Sequence, residues 1–199
     1  MNTFALNPSL ALPQYQYAPG EAVFCPQDVL LLCTEGVVVL SVVHANGDEG
    51  LLGLITPGLM FGLPLSSTPS AYGAVALTRV RLKAIHLAEL KRSTQLGQQL
   101  TFSMMECLRR SEEFLAIANQ RRVHERFTAL LLMLAQRIGR KTERGILIDV
   151  RLTHQQIANA ISATRVTVTR LMVNYRQRGL ISDSHQQILI PDLEKLQES

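Results

Sequence analysis

Apolar residues recur at two different periods along the chain, and the change of period divides it. Between residues 18 and 85, short aliphatic runs alternate with turn residues such as Gly36 and Gly58. Many short strands at even spacing are typical of a β-sandwich or β-barrel. From Leu87 onward the apolar positions follow helical spacing, so we predict an α+β protein whose strands come first and whose main helices follow.

Residues 152–179 carry the clearest local pattern, which is two short helices joined by a tight turn at Ser162 and Ala163. Thr153 and Thr164 suit the starts of these helices, because a hydroxyl can accept an otherwise unpaired backbone N–H. Gly179 suits the end of the second helix. Helical spacing predicts these inward positions: Ile157, Ala160, Ile161, Val168, Leu171 and Tyr175. The pattern predicts a helix-turn-helix of the kind that reads DNA.

Four side chains remain on the outer face of the second helix near its start: Arg165, Val166, Thr169 and Arg170. An arginine fork matches the O6 and N7 acceptors of guanine, and a valine packs against a thymine methyl, so we predict that these residues read bases. Residues at the helix starts are predicted to hold phosphates: Thr153, Gln155, Thr164 and Thr167. The alternative is a solvated arginine face with threonines that only cap helices.

This stretch resembles the C-terminal helix-turn-helix of the cyclic-AMP receptor and fumarate-nitrate-reductase regulator (CRP/FNR) superfamily. The sequence TRVTVTRL at residues 164–171 resembles in particular the recognition helix of the cyanobacterial global nitrogen regulators. The resemblance implies that Arg165 and Arg170 contact bases and phosphates. Val166 stands where the cyclic-AMP receptor has glutamate, which implies a different half-site, closer to the GTA type of the nitrogen regulators. It also implies a homodimer on a palindromic promoter site and RNA polymerase as a partner.

The same resemblance implies three regions. Residues 1–86 would form a β-roll sensor-like domain, a double-stranded β-helix of the cyclic-nucleotide-binding type, with EGVVVL, NGDEGLLGLITPG and MFG at its turns. Residues 87–119 would form the dimerisation helix, and residues 120–199 the winged helix-turn-helix. We expect residues 1–17 to be irregular. In the wing, at residues 180–190, His185 or Ser184 is a further candidate for a phosphate contact, against the alternative of a solvated turn.

A stripe of residues in the long helix has the four-three spacing of a coiled coil: Leu100, Met104, Cys107, Ser111, Phe114 and Ala118. We predict that this stripe forms the dimer interface, while neighbours such as Arg109 and Arg110 face solvent. The alternative is that the stripe packs on the chain's own β-domain, and the polar Ser111 favours that objection. A dimer is favoured because two recognition helices can meet successive major grooves about 34 Å apart.

The effector segment contains no charged residue between Gly58 and Thr78, whereas cyclic-nucleotide receptors offer a glutamate and an arginine there. Because a buried phosphate without a cationic partner is costly, cyclic AMP is not expected to bind. Resemblance to the nitrogen regulators implies 2-oxoglutarate as another candidate effector. Its pocket would be formed by Phe61, Gly62, Leu63, Leu65 and Arg121. Pro64 lacks the N–H that such a loop would donate, so a regulator with no effector, or with another one, is the preferred hypothesis.

Charge is distributed unevenly over the two halves. Residues 120–181 hold twelve Lys and Arg against three acidic residues, which gives a net charge of +9. Because the whole chain has a net charge of +4, the remaining residues together carry −5. A concentrated positive charge beside a helix-turn-helix favours nucleic acid as the partner over a membrane. Apolar runs are too short to span a bilayer, and we see no secretion signal, so we expect a cytoplasmic protein.

Catalysis and cofactors are not expected. Cys25, Cys33 and Cys107 lack the close spacing of a zinc or iron–sulfur site, so they are expected to be small buried residues. His44 and His86 are isolated, which disfavours haem and the convergent ligands of a cupin enzyme. The other binding hypothesis is a winged helix that serves protein partners without sequence-specific DNA binding.

Overall fold

The computed structural model describes residues 12–43, 49–63, 71–184 and 186–199. They belong to two compact units, Met1–Glu112 and Glu113–Ser199. No helix within the described ranges is both long enough and apolar enough to cross a membrane. In the first unit, the strands are β1 (Gln14–Tyr17), β2 (Val29–Glu35), β3 (Val38–Val43), β4 (Glu49–Ile55), β5 (Met60–Phe61), β6 (Ala71–Ala76) and β7 (Val80–His86).

These strands form two antiparallel sheets, ordered β1-β7-β2-β5 and β4-β3-β6. Strand β2 is buried on both faces, which explains its continuous apolar run. Its Leu31 and Cys33 join a core cluster that takes side chains from both sheets. Leu30 and Leu32 point the other way and join a second cluster. The side chains therefore alternate between two cores at the period of two that a strand imposes.

Two helices follow the strands, α1 (Leu87–Leu90) and the long α2 (Thr94–Ala118). Leu96 of α2 is fully buried in the second cluster, with Leu100 packed against it. Ser103 is 1% exposed, and its hydroxyl accepts a hydrogen bond of 2.7 Å from the Met60 backbone N–H. Arg110 donates to the Leu54 carbonyl at 2.8 Å. These contacts attach one face of α2 to the strands.

The predicted dimer stripe is wrong at two of its positions. Leu100 packs against the second cluster and Cys107 against the first, so both contact the β-domain of their own chain. Arg110 is also bonded to a strand rather than facing solvent as predicted. The apolar side chains most open to solvent on α2 lie one position later, at Met105 (67% exposed) and Leu108 (64%). A shift of one residue turns a helix by about 100°, which is why the stripe moves to another face.

The second unit contains helices α3 (Val123–Ile138), α4 (His154–Ala160), α5 (Arg165–Gln177) and α6 (Leu193–Gln197). Its strands β8 (Gly139–Thr142), β9 (Gly145–Ile148), β10 (Ser182–Ser184) and β11 (Gln187–Ile190) form one sheet in the order β10-β11-β9-β8. The core side of α3 is formed by buried apolar residues that recur at helical spacing, among them Phe127, Leu130, Leu131 and Leu134. Tyr175 of α5 packs edge-on against Phe127, with ring centroids 4.9 Å apart.

Several elements differ from the sequence prediction. Residues 14–17, expected to be irregular, form β1 against β7. Residues 23–25, one of the short apolar runs between residues 18 and 85 that predict strands, have only the isolated bridge at Ala22 beside them. Strand β8 and helix α6 had no counterpart in the pattern. His44 and the predicted turn at residues 46–48 lie outside the described residues.

Replacing Ser103 with Ala is expected to destabilise the first unit by about 1 to 3 kcal/mol, because the buried Met60 N–H loses its acceptor. Ser111 on the same helix is exposed and bonds only to the Cys107 carbonyl, so Ser111→Ala is a matched control expected to change stability by less than about 0.5 kcal/mol. Urea denaturation with hydrogen exchange at Met60 measures both. Equal stability of the two variants would contradict the assignment.

Candidate nucleic-acid interface

Helix α4 begins with a complete capping box. The Thr153 hydroxyl accepts from the Gln156 N–H at 3.1 Å, and the Gln156 side chain accepts from the Thr153 N–H at 2.9 Å. Ile157 and Ile161 are buried as predicted, and Ala158 is buried where Ala160 was predicted. The capping box satisfies the N–H groups of Thr153 and Gln156, while those of His154 and Gln155 remain without an intrahelical acceptor.

The turn to α5 contains Ser162 in the left-handed region, with φ of 48°. The Ala163 N–H returns to the Ala158 carbonyl at 3.0 Å, which closes the turn. Thr164 then caps α5, because its hydroxyl accepts from the Thr167 N–H at 3.1 Å. The two threonine hydroxyls are themselves 2.9 Å apart. The two helices predicted from the sequence are therefore joined by the turn predicted between them.

The inner face of α5 is buried through Val168, Met172 and Tyr175. Leu171, predicted to point inward, is only half-buried, since Met172 occupies the core position. The Tyr175 hydroxyl lies 2.8 Å from the Thr128 hydroxyl and donates to the His124 carbonyl at 3.3 Å. These contacts hold the rotation of α5 against α3.

The outer face of α5 brings together the four residues predicted to read bases, and all of them are exposed: Arg165, Val166, Thr169 and Arg170. Val166 is 60% exposed, so its apolar side chain is open to a partner. No described carboxylate pairs with Arg165 or Arg170, whereas Arg176 pairs with Asp183 of the wing at 2.8 Å. Two arginines are thus available for an anionic or hydrogen-bonding partner, and a third ties α5 to β10.

The residues predicted to hold phosphates are placed at or beside the two helix starts. The hydroxyls of Thr153 and Thr164 are used in capping, so what these positions offer a phosphate is the backbone N–H groups of the first turns. Gln155 is exposed, with its amide N–H bonded to Asn159 at 2.7 Å. Thr167 is half-buried, and His185 lies outside the described residues.

Arg126 was not singled out from the sequence, yet it binds the turn of the helix-turn-helix. Its Nε donates to the carbonyl of Ile161, the residue that ends α4, at 2.8 Å. Its Nη1 donates to the Gln120 carbonyl at 2.8 Å and to the Arg121 carbonyl at 3.3 Å. One guanidinium therefore joins the turn to the segment that precedes α3. No local sequence pattern marks Arg126, because its role depends on a contact with a residue 35 positions away in the chain.

The effector residues predicted from resemblance do not all fall within one unit. Phe61 is buried in the first core cluster, Gly62 adopts a φ of 118°, and Leu63 packs against the second cluster. Leu65 lies outside the described residues. Arg121 is exposed and belongs to the second unit.

Burial governs the titratable groups of the first unit. Burial raises the pKa of the Tyr72 phenol, and it raises the pKa of the Cys33 thiol to about 12. Cys25 and Cys107 are half-buried, and burial raises the pKa of both thiols. Among the residues that the structure describes, no three His, Cys, Asp or Glu side chains are grouped to hold a metal ion.

Comparison with known proteins identifies the family. Residues 125–199 match the family model of the Crp-like helix-turn-helix domain, and residues 14–95 match that of the cyclic nucleotide-binding domain. The global nitrogen regulator of Synechococcus elongatus is 31% identical over 192 residues, covering 91% of this chain and 86% of that protein. The chain belongs to the CRP/FNR family of transcription regulators.

Two further similarities agree with membership of the CRP/FNR family. A CRP-like cAMP-activated global transcriptional regulator of Mycobacterium tuberculosis is 29% identical, covering 90% of this chain and 81% of that protein. The structure of a CRP-family regulator from Thermus thermophilus superposes with a TM-score of 0.79 at 21% identity, covering 92% of this chain and 95% of that one. The predicted fold class and the prediction of a DNA-binding regulator are confirmed.

In this CRP/FNR-family regulator, replacing Arg126 with Ala is expected to weaken the helix-turn-helix by about 1 to 3 kcal/mol, because the Ile161 and Gln120 carbonyls lose a charged donor. Arg122, whose side chain is largely exposed and whose carboxylate partner is 4.0 Å away, provides a control with the same change of charge. Hydrogen exchange of α4 and α5 should accelerate in Arg126→Ala and stay unchanged in Arg122→Ala. Matching exchange in both variants would refute the proposed bridge.

Proposed function

We propose that this regulator binds a palindromic promoter site as a homodimer, with α5 of each subunit in the major groove of one half-site. The observation that carries the proposal is the outer face of α5, where exposed Arg165, Val166 and Arg170 share one surface and no described carboxylate pairs with either arginine. A helix-turn-helix places such a face against base edges. RNA polymerase is the proposed protein partner, as for a transcription regulator in general.

The chemistry of this face supports a mixed readout. Each arginine offers a planar fork that fits guanine O6 and N7, and Val166 offers an apolar surface that fits a thymine methyl. The proposed half-site is of the GTA type, which the resemblance of residues 164–171 to the recognition helix of the nitrogen regulators implies. The glutamate that the cyclic-AMP receptor has in place of Val166 would instead accept from cytosine.

Affinity is proposed to come mainly from phosphates. The second unit carries most of the positive charge, and the starts of α4 and α5 direct backbone N–H groups outward. Each phosphate contact should lower the logarithm of the binding constant by about 0.9 per logarithmic unit of salt. Binding to random DNA should therefore show strong salt dependence and little sequence dependence.

The homodimer is proposed to form through the exposed face of α2. Met105, Leu108 and Leu115 are each more than 60% exposed, and together with Thr101 and Glu112 they have the four-three spacing of a coiled-coil seam. This face lies opposite the one that carries Ser103 and Arg110. A second copy of the same helix supplies a matching apolar stripe, as a two-fold interface requires.

Cyclic AMP is not the proposed effector, although a cyclic nucleotide-binding model matches residues 14–95. The chain has no acidic or basic residue between Gly58 and Thr78, and the described part of that segment is largely buried and apolar. A cyclic phosphate there would lack a cationic partner. The regulator is proposed to bind DNA without cyclic AMP, and 2-oxoglutarate is the ligand to test against that proposal.

The deciding experiment is selection of a random duplex pool by the full-length protein, followed by sequencing, in three arms: no ligand, cyclic AMP and 2-oxoglutarate. Enrichment of a GTA-type palindrome without ligand is the expected result. Enrichment in one ligand arm alone would identify an effector and contradict the ligand-free proposal. Absence of enrichment in every arm would favour a winged helix that serves protein partners.

Replacing Arg170 with Ala should relax the preference at one base position of the selected site, at a cost of about 1 to 3 kcal/mol. Lys195→Ala removes the same charge from α6 and should leave the sequence preference unchanged. Competition titrations with selected and random duplexes separate the two effects. If Arg170→Ala weakened both duplexes equally, Arg170 would be a phosphate contact rather than a base reader.

Replacing Leu108 with Glu should shift the protein from dimer to monomer and abolish cooperative binding of the palindrome, because the charge would be buried between two helices. Gln136→Glu adds the same charge at an exposed position of α3, outside the seam, and should leave the dimer intact. Sedimentation equilibrium of each variant measures the association constant. A Leu108→Glu protein that remained a dimer would place the interface elsewhere.

A further inference from the structure

Thr169 lies in the middle of the outer face of α5, yet its hydroxyl is engaged within the protein. The hydroxyl donates to the Arg165 carbonyl one turn earlier at 2.9 Å. The same oxygen lies 2.9 Å from Nδ1 of His154, the first residue of α4. Threonine often bonds to the preceding turn of its own helix, but the contact from His154 comes from a second helix.

One tautomer of His154 satisfies both contacts. A threonine hydroxyl has a single proton, and in the bond to Arg165 the hydroxyl donates it, because a carbonyl can only accept. Both contacts are satisfied when Nδ1 of His154 carries a proton and donates it to the Thr169 oxygen. The hydroxyl of Thr169 then has no proton to offer a base. Its rotamer is also held from two sides.

The group that remains for a partner is the methyl of Thr169. Val166 lies one turn earlier on the same face, and side chains three residues apart on a helix are about 5 to 6 Å apart. Val173, 45% exposed, continues the line one turn later. The base-reading face thus contains an apolar strip between Arg165 and Arg170. In the major groove, the apolar group that a base offers is the thymine 5-methyl.

We propose that His154 is a positioning residue for base recognition, and that it makes Thr169 present a methyl which, beside Val166, reads the 5-methyl group of thymine. The inference rests on the proposed binding of α5 in the major groove. His154 itself is only half-buried at the start of α4 and acts through Thr169. The recognition of thymine is thereby shared by a residue of the first helix that does not belong to the reading face.

The test replaces thymine by deoxyuridine, one position at a time, in the duplex most enriched by the wild-type protein. This change removes the 5-methyl and leaves base pairing and the groove acceptors in place. Loss of one buried methyl is expected to weaken binding about three- to fourfold in one half-site and about tenfold in both. If no duplex is enriched, the proposed function fails; if a duplex is enriched but deoxyuridine has no effect anywhere, only the present inference fails.

Two variants of Thr169 give opposite predictions for the methyl and the hydroxyl. Thr169→Val keeps a methyl at the same place and removes both hydrogen bonds, so the deoxyuridine penalty should persist. Thr169→Ser keeps the hydroxyl and removes the methyl, so the penalty should fall to about onefold at the position facing residue 169. The reverse pattern would show that the hydroxyl reads the base and would overturn the proposal.

The role of His154 is tested by rescue. His154→Ala should reduce the deoxyuridine penalty at the same position at least twofold, while leaving affinity for random DNA unchanged. His154→Asn returns an N–H donor near the place of Nδ1 and should restore the penalty. In a Thr169→Val background, His154→Ala should have no further effect. An undiminished deoxyuridine penalty in His154→Ala would show that His154 has no role in recognition. Gln177→Ala, at the far end of α5, serves as the control for folding.

Discussion

The buried hydroxyl of Ser103 helps to determine which face of the long helix α2 meets solvent. Ser103 bonds to the Met60 N–H inside the first unit, and Arg110, seven residues later, bonds to the Leu54 carbonyl. Seven residues are close to two helical turns, so both contacts hold the same side of the helix. Together with the buried Leu96, these polar contacts fix the rotation about the helix axis, and the apolar residues on the opposite side stay exposed. The proposed dimer seam lies on the side of α2 that these contacts leave exposed.

In α5 the same constraint operates through an apolar core. Val168, Met172 and Tyr175 are buried, and the Tyr175 hydroxyl is bonded to α3, so Arg165, Val166 and Arg170 have only the outer direction available. The threonine caps and the Arg126 bridge then fix where the helix begins. The proposed recognition residues are thus placed by interactions inside the protein, and the bonds of Thr169 extend this arrangement to its hydroxyl.

The helix-turn-helix could be predicted from the sequence because its determinants are local: a cap, a turn and an apolar repeat within 28 residues. The sequence could not predict which face of α2 is buried. A heptad register that contains Leu100 and Cys107 and the register one residue later, which contains Met105 and Leu108, fit the apolar pattern equally well. The polar Ser103 and Arg110 made the buried side look like surface, and only their distant partners explain them. Strand β1 was missed for a similar reason, because its pairing with β7 joins residues far apart in the chain.

Burial of the thiols gives this regulator an internal reporter of its own unfolding. Cys33 is fully buried, and burial raises the pKa of its thiol to about 12, so the thiol is almost entirely protonated at pH 8, although the thiolate is the reactive form. A thiol reagent in solution can therefore modify Cys33 at an appreciable rate only when strand β2 leaves the core. The rate of labelling at Cys33 would follow the opening of the β-domain separately from the helix-turn-helix, whose unit contains no cysteine in the sequence.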